Sequence, residues 1–224
     1  MNFLRACRRS DKMMSFKKKN RRTLFTAIVA IVLAIIAIWS KTVVDDGTFI
    51  NHFISSISLS EFTTRLPFLA IIAIIISFDA NSPLRSLINV LLFFVAFIGI
   101  FYLGILFLDS TSKYIAFEII NLKENCKSFI IWGGVLTILS PLLWYGKGEG
   151  WFSVLISSLV VGFFFYFEFN IGMWYINIAN IPELIIWVLS IIITYTEISK
   201  TIVIILYSLP IGIVFYLFLP LITK

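Results

Sequence analysis

Residues 24–39, LFTAIVAIVLAIIAIW, carry no charge and are nearly long enough to cross a bilayer as a helix. The residues before them are strongly basic. Nine of the 18 Lys and Arg residues are Arg5, Arg8, Arg9, Lys12, Lys17, Lys18, Lys19, Arg21 and Arg22. Because basic flanks are retained in the cytoplasm, residues 1–22 are predicted to form a cytoplasmic tail. The apolar run is too long for a signal-peptide core, so we expect an uncleaved membrane anchor.

The whole composition is that of a membrane protein. The chain is 60% hydrophobic and 13% charged, with a mean hydropathy of +1.01. Soluble domains are about half apolar and about a quarter charged. We therefore expect an all-α polytopic bundle in which residues 23–224 form one transmembrane domain. The basic tail and short loops favour a bacterial inner membrane.

The net charge of +6 belongs to the tail. Residues 23–224 contain nine basic and 11 acidic residues, so the body of the protein is slightly acidic. This distribution indicates a topology signal and gives no reason to expect nucleic-acid binding. The tail could also bind anionic lipids or a cytosolic protein, and its docking residues would be Lys17, Lys18, Lys19, Arg21 and Arg22.

Seven apolar segments are candidate spans. They lie near residues 24–44, 66–78, 84–108, 129–145, 151–175, 182–196 and 201–222. Residues 66–78 are short and precede the turn sequence DANSP, so they form either a thin span or a re-entrant hairpin. Seven spans leave 12 basic residues on the tail's side and six spans leave 13, which favours six only slightly.

Two amphipathic segments are predicted to lie at the membrane surface. In residues 41–65, apolar and polar side chains separate onto opposite faces of a helix. Residues 112–127 combine charged residues with large apolar ones in a similar way. We expect each segment to form an interfacial helix.

The first span carries a stripe of small residues. Ala27, Ala30, Ala34 and Ala37 recur every three or four positions and therefore share one helical face. Such stripes allow another helix backbone to approach closely in lipid. The partner would be either another span of the chain or a second copy, and the second alternative predicts a homo-oligomer.

Glu168 is the strongest candidate for a polar group inside the membrane. It lies in the aromatic sequence FFFYFEFN, residues 163–170, which ends at Asn170. If the fifth span continues to Tyr175, Glu168 lies within the hydrocarbon, where an acid is costly and usually functional. If the span ends near Phe169, Glu168 is an interfacial residue beside an aromatic belt.

Motifs of the common enzyme classes are missing from the sequence. It has no Gly-x-Ser-x-Gly, no His-Glu-x-x-His and no phosphate-binding glycine-rich loop. Cys7 and Cys126 have no His or Cys neighbours at metal-binding spacing, so we interpret both as free thiols. We expect no enzyme activity, no cofactor and no metal site.

Two functions fit these features. The first is an oligomeric permeation or transport component for ions or small solutes, with Glu168 and Asn170 along the path. The alternative is a non-conducting membrane subunit or sensor of a multi-protein system, such as immunity, exclusion or phage defence. The sequence ranks the two almost equally.

Overall fold

The computed structural model describes residues 22–39, 65–111, 116–171, 176–178, 181–195 and 197–222. These residues form an all-α protein of seven helices. The helices are α1 Arg22–Trp39, α2 Leu66–Asp79, α3 Pro83–Thr111, α4 Ala116–Trp144, α5 Trp151–Glu168, α6 Ile181–Thr194 and α7 Ile198–Ile222. A 3-10 turn, Tyr145–Lys147, precedes α5, and a minimal antiparallel hairpin of β1 Phe169–Ile171 and β2 Ile176–Ile178 follows it.

Helix length and composition support an integral, multi-span membrane protein. Among the described residues, α1, α3, α4 and α7 each contain an apolar stretch of at least 18 residues, enough to cross a membrane. The other three helices are apolar but shorter. Large apolar side chains such as Leu84, Ile138 and Trp151 are more than two-thirds exposed on the outer surface, as expected for groups that face lipid.

Neighbouring helices in the first half of the bundle run in opposite directions. Arg22 at the start of α1 contacts Asp79 at the end of α2. Ser86 near the start of α3 donates a hydrogen bond of 2.8 Å to the carbonyl of Ser140 near the end of α4. The start of α1, the end of α2, the start of α3 and the end of α4 therefore share one end of the bundle, here called the Arg22 end.

The second half continues this alternation. Tyr166 of α5 and Tyr216 of α7 have ring centroids 6.4 Å apart, and Gly162 of α5 lies against Ile211 of α7, so these two helices run parallel. The short α6 connects the end of α5 to the start of α7 and packs on α5, where the rings of Phe165 and Trp187 have centroids 6.3 Å apart. The chain thus starts α1 at the Arg22 end and finishes α7 at the opposite end. The seven helices therefore alternate in direction along the chain.

The short α2 has clear start and stop signals. It contains 14 residues, with Pro67 in the first turn and Ala80 extended just beyond the last. Pro83 then begins α3, and the Ser82 hydroxyl accepts a hydrogen bond of 3.3 Å from the Arg85 backbone N–H. This is the usual N-cap arrangement, which satisfies a backbone donor at the start of a helix.

Two predicted boundaries are wrong. Helix α4 is continuous from Ala116, so residues 116–127 are not a separate interfacial helix. A helix of 29 residues is about 44 Å long, so its first turns extend beyond a hydrocarbon core of about 30 Å. Helix α5 ends at Glu168 and an extended strand follows, so a fifth span reaching Tyr175 is not formed. The interfacial helix expected over 41–65 lies outside the described residues, apart from Arg65.

The interior is filled by a column of aromatic rings, here called the Phe ladder. Phe93, Phe97 and Phe101 recur every four residues on α3, are at most 1% exposed, and stack with centroids about 6 Å apart. Phe129 of α4 meets two of these rings edge-on, at 5.8 and 5.5 Å. Such offset and edge-to-face contacts are favourable aromatic geometries. The Phe ladder therefore packs α3 against α4 within the hydrophobic core.

A proline is accommodated within α4 by a hydroxyl group. Pro141 has no backbone N–H, so the carbonyl of Thr137 lacks its normal helical donor. The hydroxyl of Ser140 donates to that carbonyl at 2.8 Å. The Ser140 carbonyl in turn accepts the hydrogen bond from Ser86, so the same position also ties α4 to α3. In lipid, where water cannot replace lost partners, this compensation allows the helix to continue.

Candidate functional site: the capped end of α2

Polar and charged side chains concentrate where α2 ends. The site, here called the capped end of α2, comprises Arg22, Asp79, Asn81, Trp144 and Lys147. Three separate parts of the chain contribute to it: the start of α1, the α2–α3 turn and the α4–α5 turn. The sequence gives no short motif for such a site because its members are up to 125 positions apart.

The end of a helix leaves carbonyl groups without internal partners. At α2 these groups are satisfied by side chains from elsewhere. The Lys147 ammonium donates to the carbonyls of Phe78 at 2.9 Å and Ala80 at 2.6 Å. The Trp144 indole donates to Ala80 at 2.8 Å, and the Arg22 guanidinium donates to the carbonyl of Asp79 at 2.8 Å. Two cations at the negative end of the helix dipole are also electrostatically favourable.

The charges at this end are closely spaced. Nη1 of Arg22 lies 3.5 Å from the Asp79 carboxylate and donates to the Asn81 side chain at 3.1 Å. The Arg22 and Asp79 side chains are 38% and 64% exposed, so their ion pair contributes only about 0–1 kcal/mol. Lys147 also lies 5.2 Å from the centre of the Trp144 ring, within cation–π range. The hydrogen bonds to backbone carbonyls therefore matter more here than the ion pair.

The α4–α5 turn is held in position by small residues. Gly146 lies against Phe78 and Ile156 so closely that an added Cβ would come within 3.0 Å of both side chains. Its carbonyl accepts hydrogen bonds from Ser153 at 2.5 Å and from Ser157 at 3.2 Å. Gly150 has a φ of +95°, a conformation that favours glycine. These contacts hold Lys147 next to the C-terminal end of α2.

A groove of about 620 Å³ opens beside the capped end, between α1 and α2. Arg22, Asp79 and Asn89 lie at its polar end, and Asn89 accepts a hydrogen bond of 3.0 Å from Thr23. The remaining wall is formed by Thr26 and by apolar side chains, those of Leu24, Phe25, Ile28, Val29, Ile72, Ile75 and Ile76. The groove thus combines a charged end, where Arg22 pairs with Asp79, with a hydrophobic body.

The predicted small-residue stripe lies inside the chain. Ala30, Ala34 and Ala37 are fully buried in the same hydrophobic cluster as the Phe ladder, while Ala27 is half-buried. This face of α1 is therefore occupied by other helices of the same chain. A homo-oligomer would need a different surface.

The other predicted site residues are distributed along the chain. Glu168 is the last residue of α5, and Asn170 follows in β1 with its Cα paired to that of Asn177. Lys17, Lys18, Lys19 and Arg21 lie outside the described residues. Arg22 is described, and its guanidinium is engaged with α2 as above. The structure thus separates Glu168 and Asn170 from Arg22, which lies at the opposite end of the bundle.

Sequence reasoning missed the roles of Trp144 and Lys147. It predicts only a turn at residues 79–83. The sequence does contain a signal for this site, since two turn segments, 79–83 and 144–150, are each rich in polar or small residues. Among the described residues, no group of three His, Cys, Asp or Glu side chains could hold a metal ion.

No protein family, curated protein or solved structure matches this chain.

Proposed function

We propose that this chain is a seven-crossing bacterial inner-membrane protein, with a cytoplasmic N-terminus, that works as a non-conducting binding component. In this proposal it belongs to a multi-protein system such as immunity, exclusion or phage defence. It recognises partners in or beside the membrane and neither passes solute nor catalyses a reaction. The Phe ladder is the observation that carries the proposal.

Packed aromatic rings leave little room for a hydrated path. Phe93, Phe97 and Phe101 belong to the hydrophobic core, stack with ring centroids about 6 Å apart, and are each buried. A solute path usually needs polar groups or water to replace the lost hydration shell. Permeation would therefore need a route outside this interior, for example between two copies of the chain. The alanine stripe that suggested a second copy is covered by other helices of the same chain.

Two features support binding. The capped end of α2 contains Lys147 and Arg22, the last residue of the basic tail, and residues 5–22 contain nine cations. Dense positive charge close to a membrane attracts anionic lipids and acidic protein surfaces. A cytosolic protein partner would therefore meet the tail.

Ion flux through the purified full chain in sealed vesicles tests this proposal. We expect flux equal to that of empty vesicles, both for the wild type and for Glu168→Gln. An added ionophore verifies that the vesicles are sealed, and protease protection verifies that the protein is inserted. Flux above the empty vesicles would overturn the non-conducting proposal, and a lower flux in Glu168→Gln would assign Glu168 to the path.

The role of the tail is tested separately by crosslinking in cells. Deleting residues 2–20 keeps Arg21 and Arg22 next to α1 and should preserve insertion. We expect crosslinked protein partners to be lost from this variant. If the same partners are recovered with and without the tail, the tail is not the docking segment.

A further inference from the structure

We propose that the groove between α1 and α2 binds one anionic phospholipid, with the phosphate beside Arg22 and an acyl chain along the apolar walls. The inference rests on the membrane placement proposed above. It adds a specific lipid site to a protein whose remaining surface contacts lipid without selectivity.

The size and lining of the groove fit an amphiphile. Its volume of about 620 Å³ lies within the range of about 300–1,000 Å³ that is typical of small-molecule sites. Leu24 and Phe25 are 63% and 66% exposed along one wall, and Ile75 is 45% exposed on the other. Apolar side chains so exposed need an apolar neighbour, and in a bilayer that neighbour is an acyl chain.

The charge of Arg22 indicates that the lipid headgroup is anionic. Arg22 lines the groove and pairs with Asp79, while Lys147 lies outside the groove and donates to backbone carbonyls at the end of α2. A guanidinium has five N–H donors, and the side chain of Arg22 is 38% exposed at the mouth of the groove. Arginine binds phosphate through paired hydrogen bonds, and its exposed ion pair with Asp79 is weak enough to be exchanged.

The preceding sequence strengthens the preference for an anionic lipid. Lys17, Lys18, Lys19 and Arg21 immediately precede Arg22 in the chain. Such juxtamembrane clusters concentrate anionic lipids near the surface. The headgroup and the acyl chain are then selected together, because Arg22 and the apolar wall belong to one continuous groove.

The test is thermal stabilisation and lipid binding by the purified full chain in a neutral detergent. Phosphatidylglycerol is compared with phosphatidylcholine of the same acyl chains, and glycerol phosphate provides the headgroup alone. We expect saturable stabilisation by phosphatidylglycerol, at least fivefold weaker binding of phosphatidylcholine, and no competition by glycerol phosphate. Equal binding of the two lipids would overturn the proposal, and full competition by glycerol phosphate would assign a soluble anion instead.

Matched variants locate the site. Arg22→Gln should weaken phosphatidylglycerol binding about tenfold, because a charge-assisted contact is lost. Arg85→Gln removes a cation from the same end of the bundle without touching the groove, and its binding should match the wild type. An equal loss in both variants would mean general surface attraction and would overturn the proposal.

A second pair of variants leaves Arg22 and its hydrogen bonds to α2 in place. Ile28→Trp fills the groove at a position that is 49% exposed, whereas Ile138→Trp adds the same bulk on a face that is 75% exposed and outside the groove. We expect weaker lipid binding only from Ile28→Trp, and unchanged binding in that variant would contradict the site. Because these measurements use protein in detergent, their outcome is independent of the flux result.

Discussion

The ammonium of Lys147 lies 2.6 Å from the carbonyl oxygen of Ala80, a residue 67 positions earlier in the chain. The same ammonium bonds the carbonyl of Phe78, so one side chain satisfies two acceptors at the end of α2. A helix of 14 residues has few hydrogen-bonded turns, so carbonyl groups without partners at its end affect a large part of it. Lys147 therefore connects the α4–α5 turn to the end of α2.

Replacing Lys147 by Met should destabilise the protein by about 1–3 kcal/mol, the usual cost of leaving partly buried acceptors unsatisfied. Trp144 would still donate to Ala80, which sets the expected loss toward the lower value. The measurement is thermal unfolding in detergent, with tryptophan fluorescence as the readout. At this chain length each kcal/mol corresponds to about 2–4 °C in Tm.

Lys200→Met is the matched control for Lys147→Met. Lys200 is also near a helix terminus, but it pairs only loosely with Glu197, at 3.9 Å, and its side chain is 39% exposed. Its removal should change Tm by less than about 2 °C. If the two variants lose the same stability, the hydrogen bonds to α2 are not the reason for the effect.

How much of this arrangement the sequence predicts depends on the range of the interactions. The apolar run after Arg22 predicts α1, and the breaker residues at 79–83 predict the end of α2. These signals are local. Local sequence does not predict the direction of α2, because that direction depends on the contacts of Lys147 and Arg22 with the carbonyl groups at its end. Charge counting could not detect it, since the six- and seven-span alternatives differ by one basic residue.

The end of α5 shows a similar limit. Phe163 to Phe169 are apolar apart from Glu168, so composition alone allows a helix that continues to Tyr175. The chain instead becomes extended at Phe169 and pairs Asn170 with Asn177 across the hairpin. Pairing between these strands depends on residues five to nine positions apart, and helical periodicity contains no signal for it.

Ala34→Leu tests whether the alanine stripe packs within the chain. Ala34 is fully buried in the core cluster, so three extra carbons should overpack it at a cost of about 1–3 kcal/mol. Ala27→Leu, at a half-buried position two stripe residues nearer the capped end, should cost less. The readouts are Tm and the oligomeric state by light scattering. A change of oligomeric state in Ala34→Leu without a loss of Tm would instead support a stripe that binds a second copy.

Gly162 sets the distance between α5 and α7. A Cβ at this position would come within 2.7 Å of Ile211 and 2.9 Å of the backbone oxygen of Ser208, and a backbone atom cannot rotate away. Gly162→Ala should therefore lower Tm, although alanine normally favours a helix over glycine by about 1 kcal/mol. Gly134→Ala is the control, because its Cβ would meet no atom within 4 Å. We expect the control to keep or raise Tm, and the opposite ranking would mean that α5 and α7 are not in close contact.

The direction of α2 makes a prediction about the two ends of the protein. If each of the seven alternating helices crosses the membrane, the end of α7 and the basic tail lie on opposite sides. A reporter cysteine placed at Lys224 in a Cys7→Ser, Cys126→Ser background should then react with an impermeant maleimide from outside intact cells. A cysteine placed at Lys17 in the same background should react only after the membrane is opened. Labelling at both positions only after opening would indicate six crossings, and α2 would then enter and leave on one side despite its contacts with Arg22 and Lys147.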